Sequence, residues 1–307
     1  MKQEAPYSIG THNQPWGSSE RKQWLDQQVV KRSYKQEMLE RLQSIDSRFE
    51  VEQYGALSYD SERYPLLAVK SHDQHPDKPT ALITGGVHGY ETSGVQGAIR
   101  FIETHMSAYA DAFNLIVTPC VSPWAYETIN RWNPNAVDPN RSFTPNSEAE
   151  ESAALLRYIS SLKTNIEVHI DLHETTDTDN TEFRPALAAR DNAFHAFWEI
   201  PDGFYLVGDT ENPCQAFQAN IIKAVSQVTH IAPSDSEQRL IGELTAQRGV
   251  INYPTKRLGL CTGFSDANYN TTTEVYPDSP KVDDENCILA QVTAICSGLD
   301  FVTKESS

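Results

Sequence analysis

Short β-rich runs, each bounded by turn residues, alternate with helix-length stretches along most of this chain, and that alternation limits the folds open to it. The runs lie at Phe49–Tyr59, Pro65–Val69, Ala81–Val87, Leu115–Val121, Val168–Leu172, Phe204–Val207, Gly259–Phe264 and Thr271–Tyr276. Helical patterns are predicted between them at Glu91–Met106, from Ser147 onward, at Asn212–Val228 and at Asp284–Ser297. Ser147 and Glu150 have the spacing of a capping box at the start of the second. A leading helix is expected over about 18–47, where helix formers run without Pro or Gly. Strands and helices in this order fold as an α/β protein with a doubly wound, mostly parallel or mixed central sheet and helices on both faces. No repeat or linker divides the 307 residues, so one domain over 1–307 is expected, with the leading helix as an N-terminal extension.

Composition removes several classes of function. A formal charge of −17, with no cluster of Lys and Arg to offset it locally, repels phosphate backbones and anionic lipid. Neither nucleic-acid nor membrane partners are expected. The opening Met-Lys-Gln-Glu-Ala-Pro-Tyr-Ser lacks the apolar core of a signal peptide, and no later apolar run approaches bilayer-spanning length, so a cytoplasmic location is expected. Five scattered cysteines, Cys120, Cys214, Cys261, Cys287 and Cys296, suit reduced thiols and lack zinc-ribbon spacing. Any metal must then be held by His, Asp or Glu.

Ligands in a doubly wound sheet gather where strands end, and three segments place ionisable groups there. In Thr84-Gly85-Gly86-Val87-His88-Gly89-Tyr90-Glu91, a strand ends in glycines and a His-x-x-Glu pair follows at a loop-to-helix junction. That spacing can aim both side chains at one metal, although the same pair also occurs on ordinary surfaces. In Val168-His169-Ile170-Asp171-Leu172-His173, strand periodicity sets His169, Asp171 and His173 on one face. His173 at the strand end is placed to be a ligand and Asp171 or His169 to orient it; an open polar face is the alternative. The third segment, Asn130 to Phe143, is rich in turn formers and carries Arg131 and Arg141. Guanidinium forks suit carboxylates and developing oxyanions, while a solvated surface loop would use the same residues.

Taken in order, these segments resemble the zinc carboxypeptidase family. The match runs through Gly85-Gly86-Val87-His88-Gly89-Tyr90-Glu91, Arg131, Asp138-Pro139-Asn140-Arg141-Ser142-Phe143 and Asp171-Leu172-His173 to Thr271-Thr272-Thr273-Glu274-Val275-Tyr276-Pro277. The resemblance implies one zinc ion held by His88, Glu91 and His173, with Glu274 as general base and Arg131 as oxyanion stabiliser. It implies that Asn140 and Arg141 grip a terminal carboxylate and that Tyr253 caps the substrate. The activity implied is that of a metallocarboxypeptidase hydrolysing a C-terminal peptide or amide bond in a small peptide substrate. The succinylglutamate desuccinylase and aspartoacylase enzymes share the His-x-x-Glu site and an Asn-Arg-x-Phe segment. They offer a second reading, an acyl-amino-acid amidohydrolase.

Two stretches depart from the carboxypeptidase pattern. Ser122-Pro123-Trp124-Ala125 stands where Asn-Pro-x-Gly is usual, and Asp138-Pro139-Asn140-Arg141 where Asp-Leu-Asn-Arg is usual. After His173 comes an acidic loop, Glu174 to Asp179, whose carboxylates could orient ligands, bind a second metal, select a basic substrate or stand in solvent. A catalytically silent binding module is the alternative of another class. It would be expected to lack a ligand or the base, and every expected position here carries a suitable residue. No Gly-x-Ser-x-Gly elbow, phosphate loop, dinucleotide fingerprint or His-Glu-x-x-His helix competes.

Overall fold

The computed structural model describes residues 7–11, 13–72, 74–195 and 198–305. Its strands are β1 (Phe49–Ala56), β2 (Pro65–Ser71), β3 (Thr80–Gly85), β4 (Asn114–Thr118), β5 (Ile166–Glu174), β6 (Tyr205–Asp209), β7 (Arg239–Leu240), β8 (Glu243–Leu244), β9 (Val250–Tyr253) and β10 (Tyr269–Val275). Eight of them form one sheet in the order β1-β2-β4-β3-β5-β10-β6-β9, and β7 pairs with β8 alone. The centre, β4-β3-β5-β10, is parallel; β1, β2 and β6 join antiparallel, which makes the sheet mixed.

The α-helices are α1 (Ser18–Leu25), α2 (Thr92–Thr104), α3 (Met106–Tyr109), α4 (Pro123–Thr128), α5 (Glu150–Leu162), α6 (Arg184–Asp191), α7 (Gln215–Val225) and α8 (Asp284–Glu305). Strand alternation divides the core. Ala81, Ile83, Leu115, Val117, Val168, Ile170 and Leu172 face the layer of α2, α7 and α8. Leu82 and Ile116 face the opposite layer, joined by Ile166 because the register shifts between it and Val168, and α5 brings Leu155, Tyr158 and Ile159 to the same layer. This is the α/β sheet with helices on both faces that the alternation predicts. Among the described residues, α8 alone is long and apolar enough to cross a membrane, but it packs against α2, α7 and β5 as a core helix.

Three local expectations are corrected. The leading helix is a single short one, α1, followed by two irregular helical turns at 35–39 and 41–44. Between them the chain is drawn onto the α4 loop: Lys31 N–H donates to Glu127 O and Asn130 Nδ2 to Gln28 Oε1. Tertiary bonds there outweigh helix propensity. The strand expected at Gly259–Phe264 is instead a turn at Gly259, which sits at φ +65 with its carbonyl accepting Phe143 N–H, followed by a 3-10 helical turn over Cys261–Phe264. The capping box at Ser147 does not form either, since Glu150 turns its carboxylate to Ser58 and Ser147 donates to Ala149 O.

Candidate metal centre

The C-terminal ends of β3, β5 and β10 lie side by side, and each delivers part of the site. Beyond β3 the backbone turns through Gly86 at φ +60. Gly89 then passes so close to the backbone of Ala125 and Tyr126 that a Cβ there would overlap the Tyr126 nitrogen. This tight passage presents His88 and Glu91 inward. His173, next to the last residue of β5, is in register with Glu274 on β10.

His88, Glu91 and His173 offer three ligand atoms that all lie within 4.8 Å of one another, and the three residues are 2%, 1% and 1% exposed. His88 Nδ1 is 2.7 Å from Glu91 Oε1, and His173 Nδ1 is 2.6 Å from Glu91 Oε2. The second pair is close but not aligned for a hydrogen bond, which leaves Glu91 Oε2 buried without one. The other nitrogen of each ring is taken by a carboxylate: His88 Nε2 by Asp138 Oδ1 at 2.9 Å and His173 Nε2 by Asp171 Oδ2 at 2.7 Å. Lone pairs of two Nδ1 atoms and one carboxylate therefore converge, with both imidazoles oriented from behind.

The electrostatics of the cluster call for a cation. Burial alone would raise the Glu91 carboxyl, yet the two imidazoles outweigh it and bring it down to about 2. Burial likewise opposes charge on His173, but Glu91 and Asp171 hold it well above the ordinary histidine value. A buried nitrogen-and-oxygen donor set that favours positive charge, with one carboxylate oxygen left over, fits zinc.

Asp138 links two functional groups, because its second oxygen accepts from Arg131 Nε at 3.1 Å. Arg131 Nη1 also reaches Asp179 Oδ1 and Tyr90 Oη, each at 3.2 Å. Burial works against the Arg131 charge, but Asp138, Tyr90 and Asp179 hold its pKa well above the usual value. Asn140 turns its side-chain oxygen to Cys261 N–H at 2.8 Å. Arg141 donates to Asn140 O and stands open within the cavity. Glu274 accepts from Thr175 Oγ1 at 2.8 Å. Burial pushes Glu274 up to about 8, against the pull of His173 and with help from Glu91. Tyr253, at the end of β9, faces the same cavity within electrostatic reach of Arg141 and Glu274. All eight residues singled out in the sequence line one cavity of about 670 Å³.

The acidic loop is a correction. Its solvent-exposed reading fails for Glu174, which is 5% exposed and accepts Thr92 and Ser93 N–H at the start of α2. Asp179 is bound to Arg131, whereas Asp177 is exposed as the solvent reading has it and accepts from Tyr276. His169 lies one step behind the ligand partners: its Nε2 meets Thr84 Oγ1, which donates to Asp171 Oδ1. The sequence offers Asp179 only as one carboxylate of the acidic loop and assigns no role to Tyr90 or Thr175, whose contacts with Arg131 and Glu274 depend on the folded chain.

A mixed α/β sheet carrying a His–Glu–His cluster at its parallel strand ends defines the class: the zinc carboxypeptidase-like fold. Solved structures agree. A candidate metallopeptidase from Shewanella amazonensis superposes with a TM-score of 0.64 at 20% identity, over 90% of this chain and 98% of that one. A metallo-carboxypeptidase from Pseudomonas aeruginosa, in complex with (2-guanidinoethylmercapto)succinic acid, gives 0.57 at 15% identity over 94% and 69%. Residues 77–222 match the family model of the succinylglutamate desuccinylase/aspartoacylase catalytic domain. No protein of curated function matches the sequence. The family match covers a little under half of the chain and sits within a fold of the zinc carboxypeptidase type.

Proposed function

We propose that the chain is a zinc-dependent metallocarboxypeptidase, a single catalytic domain cleaving an amide bond beside a free carboxylate in a small substrate. The observation that carries this is the convergence of the His88–Glu91–His173 donors, Glu274, Arg131 and Arg141 on one cavity. Zinc bound by the three donors would polarise the scissile carbonyl and acidify a water. Glu274, raised by burial past neutrality to about 8, would in its ionised form be a strong enough base to take that water's proton and pass it to the leaving nitrogen. Arg131, fixed by Asp138 and Asp179, is suited to steady negative charge on the carbonyl oxygen. Asn140 and Arg141 would hold the terminal carboxylate, and Tyr253 would close over the substrate.

The match over 77–222 favours a second reading, an acyl-amino-acid amidohydrolase using the same groups. The succinic acid derivative bound by the Pseudomonas aeruginosa enzyme accords with carboxylate-bearing substrates in either case. Elemental mass spectrometry together with turnover tests the proposal. Wild type should carry about one zinc per chain, and His173→Ala almost none. Glu274→Gln should retain zinc and lose turnover by roughly two to four orders of magnitude. Full activity in Glu274→Gln would exclude its role as base; a metal-free wild type after zinc supplementation would point to the silent binding module. Comparison of C-terminal peptides with acyl-amino acids separates the two substrate readings.

A further inference from the structure

The cavity has a wall that the matched catalytic region does not supply. The match begins at residue 77, whereas Arg21 of the N-terminal segment lines the cavity, and Ile9, Trp16 and Trp24 pack onto Trp132, Ala136 and Ala186 beside it. Ile9, Trp16 and Trp24 are 1%, 5% and 4% exposed and form a separate apolar cluster with Trp132, Ala136 and Ala186. Trp132 meets Trp16 edge-on at 6.2 Å between ring centroids and Trp24 at 5.6 Å. Trp132 and Ala136 belong to the loop that carries Arg131, Asp138 and Arg141, and Ala186 belongs to α6. One tryptophan-rich wedge therefore packs against both flanks of the cavity.

Polar ties fix the wedge to the same two flanks. Trp16 N–H donates to Arg190 O at the end of α6 (2.8 Å), and Arg21 Nη1 to Asn135 O in the loop (2.6 Å). Arg190 Nη1 closes the ring by donating to Ala136 O at 2.7 Å, with its guanidinium 4.6 Å above Trp132. Arg21 and Arg190 themselves line the cavity. A cavity of about 670 Å³ has the size of small-molecule sites, not of a groove for a polypeptide.

We infer that the N-terminal segment is a specificity-determining wall, confining the enzyme to substrates of acyl-amino-acid or dipeptide size by locking α6 against the 131–141 loop. This rests on the hydrolase reading above for its substrates, but the wall itself can be tested without turnover. The first arm uses substrates that end in one free amino acid and carry acyl groups growing from acetyl to a long peptide. Wild type should cleave the short members and discriminate against the long ones by about tenfold or more in kcat/KM. Trp16→Ala, or Arg21→Ala should Trp16→Ala fail to fold, should narrow that ratio. Equal cleavage of long and short substrates by wild type, or a ratio unchanged in both variants, overturns the wall.

If wild type cleaves nothing, the hydrolase reading fails and the second arm decides the wall. Zinc-loaded protein is stripped with free dipicolinate and with dipicolinate coupled directly to dextran. Much slower extraction by the bulky chelator in wild type, relieved in the variants, supports the wall; equal rates in wild type overturn it.

Discussion

Asp138 bears on both the metal and the substrate. One oxygen accepts from the His88 ring and the other from Arg131, and burial is overcome by Arg131 and the His88 ring, which hold its carboxyl well below the usual range. In Asp138→Asn an amide N–H₂ must face one of these donors, so either the ring or the guanidinium loses its support. Zinc affinity, measured by chelator competition, should fall roughly 10–100-fold, with a further loss in kcat/KM if Arg131 swings away. Unchanged affinity and turnover would show that Asp138 positions neither group. The His169–Thr84–Asp171 chain supports His173 in the same way from one layer further out.

At the level of elements, β5 and α2 are joined by a division of labour between two glutamates. Glu91 occupies the position before the first turn of α2, where a side chain would normally cap the helix, but its carboxylate is committed to the histidines and caps nothing. Glu174, one residue past His173, accepts the Thr92 and Ser93 N–H groups instead. A carboxylate there also meets the positive end of the helix. Glu174→Ala should lower stability by about 1–2 kcal/mol in urea titrations of zinc-saturated protein, with Glu174→Gln losing less. An unchanged urea midpoint in Glu174→Ala would remove this capping role. The sequence makes β3, β5 and α2 legible through their apolar runs and periods and β10 through its β-branched threonines, and it makes His88, Glu91 and His173 legible because they lie where a strand gives way to a loop. Glu174 and Asp179 are not legible in this way. Their partners lie 81 and 48 residues away, and only the pairing of β3 with β5 brings them near. Strand β9 and helix α6 escape for another reason. Val250–Tyr253 is too short for a period to show, and α6 follows an irregular turn that masks its start.

Across the whole molecule, a net charge of −17 and several buried carboxyls act on stability in the same sense as pH rises. Glu151 isolates the second effect. It is 1% exposed in the first turn of α5, its Oε1 has no hydrogen-bond partner, and Asn133 Nδ2 reaches the other oxygen at 3.5 Å. Burial pushes it from 4.5 up to about 7. A carboxyl whose folded value lies above its unfolded one stabilises fully below the unfolded value. That contribution is lost as pH rises from about 4.5 through about 7. The shift corresponds to about 3 kcal/mol between the two ends of that window. Glu151→Gln removes the titration and keeps the shape, so its advantage over wild type should be small at pH 5 and grow to roughly 3 kcal/mol by pH 8. Surface repulsion is screened by salt and a buried carboxylate is not, so the same divergence should persist at high ionic strength. Urea midpoints of both proteins at the two pH values, in low and high salt, measure it directly. Parallel pH profiles for the two proteins would mean that Glu151 stays solvated or finds a partner in the folded chain, and the acid-side gain in stability would then fall to net charge alone.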